Sequence, residues 1–330
     1  MTRYEYAVPQ SVAEVFEYLE GTQSVIKAGG VDLLDLMKED LLAPKRLVNI
    51  RHLRDLKYLK KDSEGNLHIG PNMTLAELAE DKTVAELFPA LSRAADGAAT
   101  PQIRNIATLG GNICQRPRCW YFRSIDFNCS RKGGDTCFAL DGENQYHAIF
   151  ANSGGCAIVH PSAAAVALLA LDAEMKISSA KGDRTVKLAD FFVLPEKDIL
   201  NENILKAGEL ITNITIPAKM GSYQNLYFKQ KEKQSFDWPV AEVAVALDLQ
   251  EKQVKDSRVV LGSAAPVPWR VPDAENILKG KVISKDLARE AADAAMRGAE
   301  PLARNDYKVQ IFKTVVYRTI CRAAGLDPMV

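Results

Sequence analysis

SVIKAGGVDLLDLMK, residues 24–38, decides how the rest of the chain is read. SVIKA has the β-branched centre of a strand, the Gly-Gly pair makes a turn, and DLLDLMKED carries apolar residues at helical spacing. A strand running through a glycine turn into a helix is an α/β beginning. It also leaves unpaired backbone N–H groups at the helix N-terminus, an arrangement suited to a pyrophosphate. The flanking sequence agrees: RYEYAV reads as a strand and SVAEVFEYLEG as a helix capped by Ser11. Short strands are expected at RLVNI, YLKKD and LHIG, then helices at TLAELAED and FPALSRAADGAA, ending at Pro101.

A second Gly-Gly pair lies in ATLGGN, residues 107–112, with a hydroxyl at Thr108 and an amide at Asn112. Neither pair has the G-x-G-x-x-G spacing of a Rossmann dinucleotide site, and no G-x-x-x-x-G-K-[ST] occurs. Two tight turns are the plain reading. Two such loops could also embrace one extended dinucleotide.

Residues 115–155 break the pattern. The stretch RPRCWYFRSIDFNCSRKGGDTC, 116–137, holds three of the six cysteines, and five of the six fall between 114 and 156. Cys119, Cys129, Cys137 and Cys156 could supply four thiolates, with Cys114 as a spare. Structural zinc favours paired knuckles with two to four residues between ligands, and these four cysteines, at intervals of ten, eight and nineteen, form no such pair. Free core cysteines are a second reading, although the surroundings are polar and glycine-rich. The third is an iron–sulfur cluster, whose charge Arg116, Arg118, Arg123, Arg131 and Lys132 could offset, with Gly133 and Gly134 letting backbone N–H groups approach sulfur. A solvated basic face is the alternative for those cations.

The remaining chain returns to α/β: a helix at SAAAVALLALDA and strands at EMKISSA, RTVKLAD and ELITNITIP. Pro217 with KMGSYQ marks a boundary. Beyond it, YQNLYFKQK, AEVAVALDLQ and SRVVLGSA read as three antiparallel strands, followed by helices at SKDLAREAADAAMRGA and YKVQIFKTVVYRTICRAA. In the last, Val309, Phe312, Val316 and Ile320 recur at helical spacing, so that helix is expected to dock on a core, with Cys321 inside it.

At 330 residues the chain can form two or three packed units, and 42 basic residues cancel 42 acidic ones, so no field recruits nucleic acid or an acidic membrane. MTRYEYAVPQSVAEVFEYLEG shows no signal peptide, and no run of about 18 apolar residues occurs. A cytoplasmic location without membrane insertion is expected; export to the periplasm would need a partner's twin-arginine signal.

KAGGVDLLDLMK, QIRNIATLGGN, CAIVHPSAAAVALLALDA, GELITNITIP, YFKQKEKQSFDWPVAEVAVAL and LGSAAPVPWR, in that order, resemble the FAD-binding medium subunit of molybdenum hydroxylases, the xanthine dehydrogenase family. The resemblance runs from about residue 4 to residue 325. C-S-R-K-G-G-D-T-C is similar to the branch with an extra 4Fe-4S cluster, as in the flavin subunits of 4-hydroxybenzoyl-CoA reductase and periplasmic aldehyde oxidoreductase.

The resemblance implies an α+β fold: an FAD-binding PCMH-type (vanillyl-alcohol-oxidase-like) domain of two subdomains at 1–218, with the cluster insert at 115–156. A CO-dehydrogenase-flavoprotein-like domain with a three-stranded antiparallel sheet and helices would follow at 222–326. It implies FAD pyrophosphate contacts from Ala28, Gly29, Gly30, Val31, Asp32 and Leu33, and a second FAD loop of Thr108, Gly110, Gly111 and Asn112. Ile211 and Lys229 would lie near the isoalloxazine, and Cys119, Cys129, Cys137 and Cys156 would ligate the cluster. Three positions depart from the family pattern: Val31 for Thr or Asn, Lys233 for Arg, and Ala163 for an Asp that helps to hold FAD.

By that resemblance the chain is an FAD-dependent oxidoreductase subunit that transfers electrons, with partners in a molybdopterin-binding large subunit, a 2Fe-2S small subunit and an external electron acceptor or donor. The flavin would carry the redox chemistry, so no acid–base residue is nominated, and His147 and His160 are read as supporting groups. A self-sufficient flavin oxidase with a zinc loop and a flavin-free assembly scaffold are the alternatives.

Overall fold

The computed structural model describes residues 3–21 and 23–329. The first unit is a small parallel sheet in which β1 (Glu5–Ala7) and β2 (Ser24–Lys27) flank β3 (Arg46–Asn49). Parallel neighbours require crossovers, and the helices Val12–Leu19 and Val31–Lys38 supply them. Ser11 caps the first, its Oγ accepting the Glu14 N–H at 3.2 Å, as the sequence suggests.

The second unit is a five-stranded antiparallel sheet of β4 (Leu59–Lys61), β5 (Leu67–Ile69), β6 (Glu174–Ser179), β7 (Gly182–Lys187) and β8 (Leu210–Ile216), in the order β4-β5-β8-β6-β7. The helix Ala163–Ala170 is apolar on every side and buried along its whole length, which fits an element enclosed between layers.

The third unit contains β9 (Gln224–Gln230), β10 (Ala241–Gln250), β11 (Gln253–Gly262) and β12 (Trp269–Arg270), in the order β12-β11-β10-β9, antiparallel throughout. The sheet is therefore four-stranded, where three strands are expected from sequence. The extra strand pairs only Val260 with Arg270 and Leu261 with Trp269. Two residues close to Pro266, Pro268 and Pro272 cannot display a period of two, so their pairing is invisible in sequence.

Strand β10 is buried on both faces over its first seven residues. Val243, Val245 and Leu247 pack in one cluster with Phe312, Val316 and Ile320 of the C-terminal helix Tyr307–Ala323, with Val309 at its margin. Ala244 and Ala246 belong instead to the cluster around the helix Ala163–Ala170. This alternation follows from strand geometry. Cys321 lies fully buried in the first cluster, as expected.

Candidate functional site

A cleft of about 740 Å³ opens between the first unit, the loop at 107–112 and the near ends of the other two sheets. That volume is in the range of sites for large cofactors. Ala28, Gly29, Gly30, Val31, Asp32, Leu33, Thr108, Gly110, Gly111, Asn112, Ile211 and Lys229 all line it. The fold thus brings these residues to one cleft, although they are drawn from segments up to two hundred positions apart.

Close backbone approach explains the glycines. A Cβ on Gly29 would lie 2.3 Å from the Ile106 carbonyl oxygen, and one on Gly110 would lie 2.8 Å from the Pro71 side chain. The first of these contacts welds the two glycine loops together. Gly30 has φ of 81° at the N-terminus of the helix Val31–Lys38, a left-handed conformation that favours glycine. Thr108 caps the helix Leu109–Ile113 by accepting the Gly111 N–H at 3.2 Å. Asn112 Oδ1 accepts the Ser162 hydroxyl at 2.6 Å, and Ser162 Oγ accepts the Ala165 N–H at 3.0 Å, so the second loop is tied to the buried helix.

Deeper in the cleft, Lys229 donates to the Gly97 carbonyl at 3.0 Å, and burial lowers its pKa. Its cross-strand partner Glu242 is 1% exposed and accepts the Tyr227 hydroxyl at 2.5 Å; burial raises the carboxyl pKa. Glu242 escaped the sequence reading, although a lone carboxylate in AEVAVAL was a signal. Asp237 and Trp238 also line the cleft, whereas Lys233 is exposed and does not. Ala163 lines it without offering a carboxylate.

Next to the cleft, Cys119, Cys129, Cys137 and Cys156 line one small enclosed cavity together with His147 and Arg131. Cys114 is elsewhere, in the wall of the cleft, its thiol pushed up to about 12 by burial and by Glu202. Regular structure in 115–155 is limited, among the described residues, to the turns Trp120–Arg123 and Ser130–Lys132. Nearby main-chain amides favour the thiolate form of the sulfurs: Phe122 and Tyr121 at Cys119, Ala157, Ala139 and Leu140 at Cys137, and Ile158 at Cys156. The Cys156 thiol also hydrogen-bonds Cys137, lowering the Cys137 pKa and raising its own. Burial pushes Cys119 up to about 11, and His147 Nε2 lies 3.2 Å from its sulfur.

Donors aimed at several sulfurs in an enclosed space fit a thiolate-bound metal centre. A single zinc ion holds its sulfurs at about 2.3 Å, hence roughly 3.8 Å from one another. Among the described residues, no three His, Cys, Asp or Glu side chains are drawn together closely enough to hold one ion. The four thiols line a cavity of about 10 Å³ instead, roughly the room of one water.

Two expectations about the insert need correction. Of the five basic side chains, only Arg131 lines the cavity. Arg116 and Arg131 both bind Glu202, at 3.0 and 2.8 Å, and Arg118 and Arg123 bind Asp32, at 2.8 and 2.6 Å. Lys132 donates to the carbonyls of Tyr121 and Ser124. Their carboxylate partners lie more than 70 residues away in sequence, so only folding reveals the pairing. Gly134 also has a different role from the one expected: a Cβ there would fall 1.9 Å from the Asn128 carbonyl oxygen, so glycine is required to close the loop.

The glycine-loop cleft and the sheet-and-helix unit behind it define a flavoprotein class. The FAD binding domain in molybdopterin dehydrogenase matches residues 2–219, and the CO dehydrogenase flavoprotein C-terminal domain matches residues 226–323. The chain belongs to the family of FAD-binding subunits of molybdenum hydroxylases. It is 33% identical to the aldehyde oxidoreductase FAD-binding subunit PaoB of Escherichia coli (strain K12), over 90% of each chain. It is 27% identical to the carbon monoxide dehydrogenase medium chain of Hydrogenophaga pseudoflava, over 96% of each. A solved carbon monoxide dehydrogenase from the same organism superposes with a TM-score of 0.75 over 98% of both chains, at 27% identity. Quinoline 2-oxidoreductase from Pseudomonas putida 86 shares the fold, with a TM-score of 0.77 at 24% identity over 98% of both chains. No helix among the described residues is long and apolar enough to cross a membrane.

Proposed function

We propose that the chain is the FAD- and 4Fe-4S-containing electron-transfer subunit of a molybdenum hydroxylase complex of the aldehyde oxidoreductase, xanthine dehydrogenase or hydroxybenzoyl-CoA reductase type. It would pass electrons between a partner's molybdenum and 2Fe-2S centres and an external carrier. The observation that carries this reading is the gathering of four separated cysteines around one cavity, beside a cleft walled by two glycine loops. The chain has no plant-type C-x4-C-x2-C spacing of its own, so a separate small subunit would supply the 2Fe-2S centre.

FAD supplies the reversible redox chemistry when bound. The backbone of Ala28–Leu33 and of Thr108–Asn112 would hold its pyrophosphate, and Ile211 and Lys229 would flank its ring system. Cys119, Cys129, Cys137 and Cys156 would hold the cluster, with the surrounding N–H groups offsetting its charge. The same reading divides the chain into an FAD-binding domain at 1–218, carrying the insert, and a C-terminal domain at 222–326.

Anaerobic isolation of the chain with its co-purifying partners tests this. The expected result is flavin absorption, a broad iron–sulfur shoulder and about four irons per chain, together with a molybdopterin-containing large chain and a 2Fe-2S chain. Zinc without iron would replace the cluster by a structural metal, and a colourless protein would favour the scaffold.

A further inference from the structure

Asp32 sets a carboxylate in the first helical turn after the Gly29–Gly30 loop, in the wall of the cleft. A free carboxylate there would repel a pyrophosphate. It is not free. Arg123 Nη2 and Arg118 Nη2 reach Oδ1 at 2.6 and 2.8 Å, and the Arg116 N–H donates to Oδ2 at 2.9 Å. Asp35, one turn on, takes Arg123 Nη1 at 3.1 Å and Arg118 Nη1 at 3.6 Å, so two guanidinium groups answer two carboxylates. Both arginines enter from the segment that carries Cys119. Arg118 also lines the cleft, its guanidinium 5.1 Å from the centre of the Trp238 ring.

We propose that the cysteine insert is electrostatically part of the flavin site: Arg118, with Arg123, neutralises Asp32, so the cleft holds FAD tightly only when the insert is folded against it. Arg118 is thus a positioning residue that acts through Asp32. The inference rests on the reading that the FAD pyrophosphate lies on the 28–33 loop. By reciprocity, FAD stabilises the docked insert to the same degree.

The test measures FAD affinity of the full chain, stripped of flavin and titrated with FAD at low and high salt, with the melting temperature of each variant recorded. Arg118→Gln is expected to weaken FAD roughly 5- to 50-fold at low salt, with a smaller defect at high salt. Arg118→Lys keeps the charge and most of the affinity. Adding Asp32→Asn to Arg118→Gln is expected to restore affinity to within about threefold of the parent. Wild-type affinity in Arg118→Gln, or no recovery in the double variant, overturns the proposal. If Arg118→Gln does not fold, Asp32→Asn alone decides: tighter FAD binding at low salt supports the proposal, and unchanged or weaker binding overturns it. Val31→Asp puts an unpaired carboxylate on the same loop at an exposed position. If it leaves FAD affinity unchanged, the placement of the pyrophosphate fails and the inference with it. If it weakens FAD while Arg118→Gln does not, the inference alone fails.

Discussion

In the cleft, the surfaces turned toward a cofactor are mostly main chain: the Gly29–Gly30 turn, the capped loop at Thr108–Asn112, and strand ends that converge because three sheets pack together. In the cysteine insert the corresponding surfaces are side chains, four thiols and an imidazole. Around them, arginine–carboxylate pairs take the place of regular structure. A backbone-built site tolerates changes of side chain and fails when the chain path shifts. A side-chain-built site does the reverse. Val31 and Ala163 accordingly line the cleft without offering it a polar side chain, while the insert depends on particular atoms.

The largest effect expected from that contrast is at the thiols. Cys129→Ser should remove the proposed iron and its absorbance shoulder, with flavin retained to the extent that the insert still docks through Arg118 and Arg123; unchanged iron content would break the ligand assignment. Next comes Gly29→Ala, where the added methyl meets the Ile106 backbone. Neither strand of main chain can yield cheaply, so we expect a loss of about 2 to 4 kcal/mol of stability and of most FAD binding, read by thermal melting and flavin retention. A near-neutral result would mean that the loops are not welded as described.

Lys308 sharpens the comparison from the other side. It is fully buried and donates to the carbonyls of Ser263, His147 and Tyr146, at 2.6, 2.8 and 3.4 Å; burial lowers its pKa to about 7. It therefore pins the segment carrying His147 to the third sheet. Lys308→Met leaves the Ser263 and Tyr146 carbonyls without this donor, although Asn305 still donates to that of His147, and should destabilise the chain by roughly 2 kcal/mol, with the insert cleaved first under limited proteolysis. The smallest effect is expected from Val31→Thr. Its side chain is 37% exposed, and if the loop works through its backbone, FAD affinity should change by less than about threefold. A large gain would show that side-chain donors matter there after all.

Much of this could be read in the chain order alone. Ser11 and Thr108 sit where caps are needed, Gly29–Gly30 and Gly110–Gly111 where the chain must turn or pass close, and the cysteines crowd into a segment lacking periodicity. The apolar runs SAAAVALLALDA and AEVAVAL, the second broken only by Glu242, are found buried on all sides. Less legible were the partners of charged residues. Arg118 and Arg123 look like a solvated run until Asp32 and Asp35 fold beside them, and Glu242 has no visible purpose until β10 turns it toward the cleft. The two-residue strand at Trp269 was silent for want of length.

Sequence by itself determined the element types, the two glycine turns and the concentration of thiols, because these depend on backbone conformational freedom and on residue chemistry at short range. Tertiary structure alone decided which wall those turns share, that four cysteines enclose one space while Cys114 joins the cleft, and that the insert's arginines answer the carboxylates of the first glycine loop. Such pairings join positions far apart in the chain, and local propensity carries no record of which distant groups packing will bring within reach.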